Sequence, residues 1–255
     1  MRIPKIKGVI KRRLLVNFRA SPESVQRLLP FPFRPKLHDG FSMVGICLIR
    51  LEHIRPLGLP GFFGISSENA AHRIAVEWVD SAGRLQEGVY IPRRDTGSWL
   101  NHLAGGRIFP GEHHAARFSV VDRSPHIELT MRSVDGAVSV TVVGRETDEL
   151  PSSSCFSSLG QASAFFKAGS LGYSASRDVL KSDGLILRTD EWSVGALEVS
   201  KVHSSYFEDP ERFPAGSVTF DHALIMRDVA HEWHSAEDMS HAQTSVNHTT
   251  GTLVD

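Results

Sequence analysis

The stretch Phe41–Arg55 reads FSMVGICLIRLEHIR, and it is almost continuously apolar as far as Ile49. Valine, isoleucine and leucine are residues that β-strands favour. A strand with one face in water alternates apolar and polar residues, whereas a strand covered on both faces carries an unbroken apolar run. The stretch therefore predicts a β-strand with protein packed against both of its faces.

Strand patterns continue along the chain from this stretch at short intervals. Two of them flank Asp135-Gly136, a dipeptide typical of the tight turn of a β-hairpin. The other connections also carry turn residues. The predicted strands are Ala70–Asp80, Gly88–Thr96, His113–Asp122, His126–Val134 and Ala137–Arg145, followed by strand structure within Leu185–Phe207 and Ser217–Met226.

The sequence contains fewer helix signals than strand signals. Ser21 followed by Pro22 predicts the N-cap and first residue of a short helix. Two further helices are predicted, one from Ser98 to Gly105 and one that Gly169 ends. This order of strands with inserted helices predicts an α+β fold, mostly antiparallel β, in which a strongly curved sheet or barrel carries a few peripheral helices. We expect a single domain over residues 1–234 and a flexible C-terminal tail over residues 235–255, which are rich in Ser, Thr and His.

Composition excludes several classes of partner. The chain has 255 residues and a formal net charge of -1, which gives no general attraction to nucleic acid or membrane, and it has no apolar run of transmembrane length. Cys47 and Cys155 lie far apart without metal-ligand spacing, so we expect reduced thiols and a cytoplasmic location. The first twenty residues contain seven Lys or Arg and no acid, and we predict a solvated basic edge there.

The sequence gives only weak evidence for metal, cofactor or nucleophile motifs. The cluster of His231, His234 and His241 lacks the spacing that puts two ligands on one helix face, so we predict a surface cluster and no metal. The nucleotide-binding glycine loops are missing, and we predict no cofactor. Cys155 is expected to be inert, and Lys167 to be a surface cation at a helix end, held in reserve as a Schiff-base residue.

Strand alternation nominates polar residues that point inward. Glu68 and His72 share the apolar face of one predicted strand, Arg93 and Asp95 lie among aliphatic residues on the next, and His114 occupies an apolar set on a third. Buried charges cost several kcal/mol unless they pair or bind a ligand. Two interpretations stay open: a binding site, or an ion-pair network such as Glu68 with Arg93 together with core histidines.

Six segments together resemble one known family over nearly the whole chain, from about Leu14 to Trp233. They are VGICLIRLEHIRPLGLPGF, SSENAAHRIAVEW, GVYIPRRDT, NHLAGGRIFPGEHHAARF, SAFFKAGSLGYS and FDHALIMRDVAHEW. The family is the DUF2071 or YqjF-like family of bacterial proteins, whose activity is undefined. Its resemblance to the acetoacetate decarboxylase-like superfamily implies a cone-shaped barrel of antiparallel strands, with helices outside and a small-molecule cavity inside.

In acetoacetate decarboxylases the loop that resembles GGRIFPGE carries two adjacent lysines, one of which forms a Schiff base while its neighbour lowers its pKa. Here only Phe109 and Pro110 match. Gly111 and Glu112 stand where the lysines would be, and Gly105 stands where a glutamate would be. The Schiff-base chemistry therefore does not carry over to this chain.

We expect a decarboxylase-like fold that binds a small carboxylate- or carbonyl-bearing metabolite in a barrel cavity, as a lyase-type enzyme without the Schiff-base lysine. The alternative is a non-catalytic ligand-binding or interaction protein. The expected partner is a small molecule, with neither nucleic acid nor membrane, and a homo-oligomer is compatible with this. The predicted acid or base residues are Glu68, His72 and His114, and the predicted substrate contacts are Arg93, Asp95, Arg107 and Phe109.

Overall fold

The computed structural model describes residues 5–60, 64–98, 111–189 and 191–241. Within these ranges the chain forms fourteen strands, two α-helices and a short 3-10 helix, Ala168–Ser170. The helices are α1 (Pro22–Gln26) and α2 (Leu159–Lys167). The strands are β1 (Ile6–Ala20), β2 (Arg34–Pro35), β3 (Leu37–His38), β4 (Phe41–Pro56), β5 (Ile65–Val79), β6 (Leu85–Thr96), β7 (His113–Arg123), β8 (His126–Ser133), β9 (Ser139–Thr147), β10 (Leu171–Ala175), β11 (Lys181–Thr189), β12 (Gly195–Ser204), β13 (Val218–Ser235) and β14 (Met239–Ser240).

The basic N-terminal segment is a central strand, so the prediction of a solvated edge is wrong. β1 pairs along one edge with β13 and along the other with β4. Ile10, Leu14 and Val16 are fully buried, while Lys11 is exposed. A count of charges over the segment missed this alternation.

Five long strands form a wall in the order β13, β1, β4, β5 and β6, and every neighbouring pair in it is antiparallel. Each of the two outer strands of the wall, β6 and β13, pairs along its free edge with two further strands of its own. The free edge of β6 pairs with β10 through Val89–Ile91 and with β7 through Arg94–Thr96. The free edge of β13 pairs with β12 through Ala223–Ile225 and with β11 through His231–Ser235.

Two closed rings of strands therefore share this wall. In the first ring, β7, β8, β9 and β12 connect β6 to β13, and in the second ring β10 and β11 make the same connection. The mostly antiparallel, barrel-like architecture confirms the predicted fold class. The predicted hairpin at Asp135-Gly136 joins β8 to β9, with Gly136 at a φ of 72°.

The wall is buried on both faces, as the apolar run in Phe41–Arg55 predicted. Val44, Ile46 and Leu48 of β4 pack into the main hydrophobic core inside the first ring. Cys47 and Ile49 point to the other face, which the second ring and α2 cover. We call these the core face and the cavity face of the wall.

Both described α-helices begin at a serine N-cap. Ser21 caps α1 by accepting a hydrogen bond from the Ser24 backbone N–H, and Ser158 caps α2 in the same way. The helix predicted from Ser98 to Gly105 lies outside the described residues. In the predicted tail, β14 pairs with β11, and residues 242–255 again lie outside the described ranges. No helix in the described ranges is long and apolar enough to cross a membrane.

Candidate functional site

The second ring encloses a cavity of about 130 Å³ between the cavity face of the wall, β10, β11 and α2. Much of its lining is aliphatic or aromatic, including Ile91 of β6, Phe166 of α2 and Trp233 of β13. Three arginines from three different strands of the wall complete the lining. They are Arg13, Arg73 and Arg94.

The strand register centres these arginines on a floor of small side chains. Cys47 of β4 lies opposite Ala71 of β5, and Ala71 in turn lies opposite Arg94 of β6. Arg13 sits two residues to one side of this row and Arg73 two residues to the other side. Because strands lie about 4.8 Å apart and rise about 3.3 Å per residue, long arginine side chains can converge over the floor.

The three arginines are bound by neutral partners. Arg13 Nε donates to Cys47 Sγ at 3.2 Å, Arg94 Nε donates to the Ser174 hydroxyl at 2.9 Å, and Arg73 Nη2 donates to the side-chain oxygen of Asn17. Within the described residues, none of them forms an ion pair with a carboxylate. Burial lowers the pKa of Arg73 and of Arg94 to about 10, which leaves both protonated at neutral pH.

A buried chain of hydrogen bonds fixes the orientation of Asn17, which holds Arg73. The Asn17 amide nitrogen lies 3.1 Å from the Leu15 carbonyl oxygen and 2.9 Å from His222 Nε2. The amide oxygen must therefore face Arg73. Since His222 Nε2 accepts, its Nδ1 carries the proton and donates to the Asp221 carboxylate at 2.6 Å.

Asp221 and His222 are fully buried, and the pKa of each lies below its usual value. Burial alone raises the pKa of Asp221, but hydrogen bonds from His222, the Ser154 hydroxyl and the Cys155 backbone N–H outweigh it and hold that pKa below its usual range. Burial lowers the pKa of His222 against the opposing effect of Asp221. At neutral pH the pair is therefore a carboxylate and a neutral imidazole, as the acceptor role of His222 requires.

The structure places Arg93 on the core face, away from the cavity. Its guanidinium bonds to Asp95 at 2.8 Å and to Asp135 at 2.9 Å, and His114 Nδ1 lies 3.3 Å from Asp135. Asp95 borders the cavity, but its carboxylate is held by Arg93. The other two predicted substrate contacts, Arg107 and Phe109, lie outside the described residues.

Glu68 and His72 also lie on the core face. Glu68 pairs with Arg12 at 2.6 Å instead of with Arg93, and burial raises the pKa of Glu68. His72 is fully buried, with its ring centroid 4.3 Å from that of Tyr206. Burial lowers the pKa of His72 to about 3, so it is neutral at physiological pH. The acid-base roles predicted for these residues stay predictions, and the structure does not bring them into the cavity.

Sequence alternation missed the cavity arginines because it assumed a single interior. Asn69 and Arg73 lie on the face of β5 opposite to that of Glu68 and His72, and this face lines the cavity. A register shift next to His72 then reverses the facing of β6 beyond Ile91, so Arg94 points into the cavity. In the same register His113 of β7 lies opposite Arg94 of β6. His113 therefore lines the cavity, and His114 does not. The signal that could have found this face was the unbroken apolar run of β4.

Two other predicted features can be placed. The described residues contain no cluster of His, Cys, Asp and Glu that could hold a metal ion. His231, predicted in a surface cluster, is instead buried against Trp233, and burial lowers its pKa to about 4.

All seven lysines of the chain lie in the described ranges, and none lines the cavity. Lys167 is exposed at the last residue of α2.

Comparisons with known proteins agree on family and fold. The family model DUF2071, described as an uncharacterized conserved protein, matches residues 9–212. An acetoacetate decarboxylase-like enzyme from Sphingomonas wittichii RW1 is similar in structure, with a TM-score of 0.59 and 12% identity over 94% of this chain and 94% of that chain. Acetoacetate decarboxylase from Legionella pneumophila has a TM-score of 0.55 and 10% identity over 92% of this chain and 88% of that chain.

A third similar structure is the enduracididine biosynthesis enzyme MppR complexed with pyruvate, with a TM-score of 0.53 and 12% identity over 95% of this chain and 91% of that chain. At such low identity these likenesses establish the decarboxylase-like fold and nothing finer. No curated protein matches the sequence.

Proposed function

The chain belongs to the DUF2071 family, and from that premise we propose that its second ring binds a small carboxylate-bearing metabolite through Arg13, Arg73 and Arg94. The observation that carries the proposal is the charge balance of the cavity. Three cations line one cavity above a floor of small residues, and none of them forms an ion pair with a carboxylate of the described residues, although Asp183 is close enough to offset part of the lowering of the Arg94 pKa by burial. Guanidinium groups in a sheltered site bind carboxylates by charge-assisted hydrogen bonds.

The lining narrows the class of ligand. The lining combines three arginines with aliphatic and aromatic surface from residues such as Ile91 and Trp233. A short carboxylic acid with a carbonyl or alkyl portion fits both. The likeness to MppR, whose structure is described as a complex with pyruvate, supports a ligand that bears a carboxylate and a carbonyl group.

We propose that any reaction here proceeds without a lysine Schiff base. The Lys36 ammonium lies 4.4 Å from the centroid of the Phe165 ring of α2 and pairs with Glu87 at 2.6 Å, and neither Lys36 nor any of the other six lysines lines the cavity. Incubation with a 3-oxo acid and borohydride should therefore leave no reduced adduct on any lysine, Lys167 included. An adduct found by peptide mass spectrometry would overturn this part of the proposal.

The binding test uses the full chain and pairs of ligands that differ only in charge. Pyruvate, acetoacetate and lactate are compared with their amides by thermal shift and calorimetry, because a ligand that binds only the folded state stabilises it by mass action. We expect the acids to raise the melting temperature and the amides not to do so. Analysis of the recovered ligand separates binding from turnover, since a converted product favours an enzyme and unchanged ligand favours a binding protein.

Arginine variants assign the site. Arg73→Met and Arg94→Met should each weaken carboxylate binding about 10- to 100-fold, since a hydrogen bond to a charged group contributes roughly 1.5–3 kcal/mol. Arg84→Met is the matched control, because Arg84 is exposed and pairs with Asp80 in a surface turn. If the cavity variants bind the acids as tightly as the control does, the proposed site is wrong. The cytoplasmic location and a homo-oligomeric state stay predictions.

A further inference from the structure

Cys47 lies at the centre of the cavity floor. It is 7% exposed and lines the cavity, and the side chain of Arg13 donates a hydrogen bond from Nε to its sulfur at 3.2 Å. Arg73 and Arg94 are also close enough to the thiol to interact with it electrostatically. One thiol is thus in reach of all three cavity guanidinium groups.

A second observation supports a ligand group beside this thiol. Arg73 is 5% exposed and lines the cavity, yet its Nε has no hydrogen-bond partner in the described part of the chain. Arg13 Nη1 is buried and unpartnered in the same way. Buried polar groups are normally hydrogen-bonded, so these donors call for an acceptor that a bound ligand would bring.

We propose that Cys47 is the nucleophile of the cavity and that it captures the carbonyl carbon of an oxo acid as a reversible thiohemiketal. This inference rests on the proposed function, because the arginines must first bind the carboxylate. In the step, a bond forms between Sγ and the carbonyl carbon, and the carbon–oxygen π bond breaks. The thiol proton ends on the former carbonyl oxygen, and nothing leaves. Arg13 Nη1 is placed to donate to that oxygen as charge develops on it.

The chemistry of this adduct predicts a different outcome from that of a Schiff base. A protonated imine accepts the electron pair that is released when a neighbouring carboxylate leaves as carbon dioxide. A thiohemiketal carbon is tetrahedral and offers no such acceptor. Cys47 would therefore hold an oxo acid without decarboxylating it, which suits a chain that retains the fold and lacks the lysines.

Cys155 provides an internal control for this reactivity. It lies outside the cavity lining, and its sulfur faces Met43 Sδ at 3.9 Å. Burial and the neighbouring carboxylate of Asp221 raise the pKa of Cys155 to about 12. Its thiol therefore stays protonated and unreactive at neutral pH.

Alkylation of the full chain tests the cationic setting of Cys47. Iodoacetate and iodoacetamide deliver nearly the same group, as the C–I bond breaks, the S–C bond forms and the thiol proton goes to solvent, but only iodoacetate is an anion. We expect Cys47 to favour iodoacetate by at least about tenfold relative to glutathione, because a cationic cavity concentrates anions. Arg73→Met should lose most of this preference, and Cys155→Ser should keep it. A glutathione-like preference at Cys47 would contradict the proposal.

Carbon NMR tests the capture step itself. With the full chain and pyruvate labelled at its carbonyl carbon, we expect a protein-bound tetrahedral carbon signal, distinct from that of free pyruvate hydrate, in the wild type and its loss in Cys47→Ser. Lactate, which has no carbonyl group, should bind both proteins equally. If pyruvate binds to the wild type by calorimetry and no tetrahedral signal forms, the inference about Cys47 is wrong while the proposed function stands. If neither acid binds, the proposed function itself fails.

Discussion

The two faces of the shared wall handle buried charge in opposite ways. On the core face, Arg12 is neutralised by Glu68 and Asp122, and Arg93 is neutralised by Asp95 and Asp135. On the cavity face the hydrogen-bond partners of Arg13, Arg73 and Arg94 within the described residues are neutral, and none of the three forms an ion pair. The same residue type therefore closes a structural network on one side of a single sheet and, in the proposed function, binds an external anion on the other.

This difference shows that a buried arginine does not by itself mark a binding site. Whether it marks a site depends on its partners. A paired guanidinium has its charge and hydrogen bonds satisfied within the protein, whereas an unpaired one lacks an acceptor. The sequence-based assignment of Arg93 as the anion contact rested on burial alone. Four changes test whether the two faces really differ in this way.

The largest effect is expected from Glu68→Ala on the core face. The change leaves Arg12, which is 3% exposed, with Asp122 alone at 3.3 Å. Loss of one partner of a buried ion pair typically destabilises a protein by about 3–5 kcal/mol, and the remaining contact favours the lower end. Urea unfolding measures this. Glu87→Ala, which removes a more exposed pair with Lys36, should lower the free energy of unfolding by less than about 1 kcal/mol. Equal losses would contradict the structural role of Glu68.

Cys47→Asp should give the cavity face the carboxylate it lacks. Aspartate is close to cysteine in size and would lie at the point where Arg13, Arg73 and Arg94 converge. We expect the thermal shift with added carboxylates to vanish, a loss of about 2.7 kcal/mol of ligand stabilisation at a ligand concentration 100 times the dissociation constant. Cys47→Ser is the control and should keep this response to lactate. Undiminished binding in Cys47→Asp would place the anion site elsewhere.

His72→Leu tests the core face through pH. Burial lowers the pKa of His72 to about 3, so between that value and its unfolded pKa near 6.5 the unfolded chain binds more protons. Stability is therefore lost as pH falls from 6.5, by about 2 kcal/mol at pH 5 for this residue. The leucine variant should remove that part of the pH dependence, measured by urea unfolding at both pH values.

The matched control for His72→Leu is His126→Gln, since His126 is exposed on β8. It should leave the pH dependence unchanged. His231 is also buried, with its pKa lowered to about 4, so some pH dependence is expected to remain in His72→Leu. If His72→Leu follows the wild-type curve, His72 does not carry the lowered pKa.

The sequence predicted the fold better than the site, for a physical reason. Strand runs and the Asp135-Gly136 turn are local signals, and they survive in the structure. Which face of a strand lines a cavity depends on what covers it, and here both faces are covered. Alternation puts the neighbours His72 and Arg73 on opposite faces of β5, but only the ring closed by β10 and β11 shows that the face of Arg73 lines a cavity.

The register shift beside His72 added a second difficulty, because it changes the facing of every later residue in β6. Pro92 lies within the shifted segment, and proline inside a strand is typical of a bulge, but it does not indicate how far the register moves. Arg93 and Arg94 are adjacent and chemically identical, so the sequence could nominate an arginine here but could not choose between them. The choice depends on pairing with β5, which is a tertiary contact.

The smallest effect is expected from Arg73→Met, which makes the comparison between faces most directly. The guanidinium carbon of Arg73 lies 4.8 Å from the centroid of the Phe166 ring, and a methionine side chain can keep this contact. The variant loses the hydrogen bond to Asn17 but also removes a buried charge that no carboxylate neutralises. These contributions oppose each other, so the free energy of unfolding should change by less than about 1 kcal/mol. A loss as large as that of Glu68→Ala in urea unfolding would mean that Arg73 is a structural residue. A small loss, together with the loss of carboxylate binding, means that the wall retains an unpaired cation for its ligand.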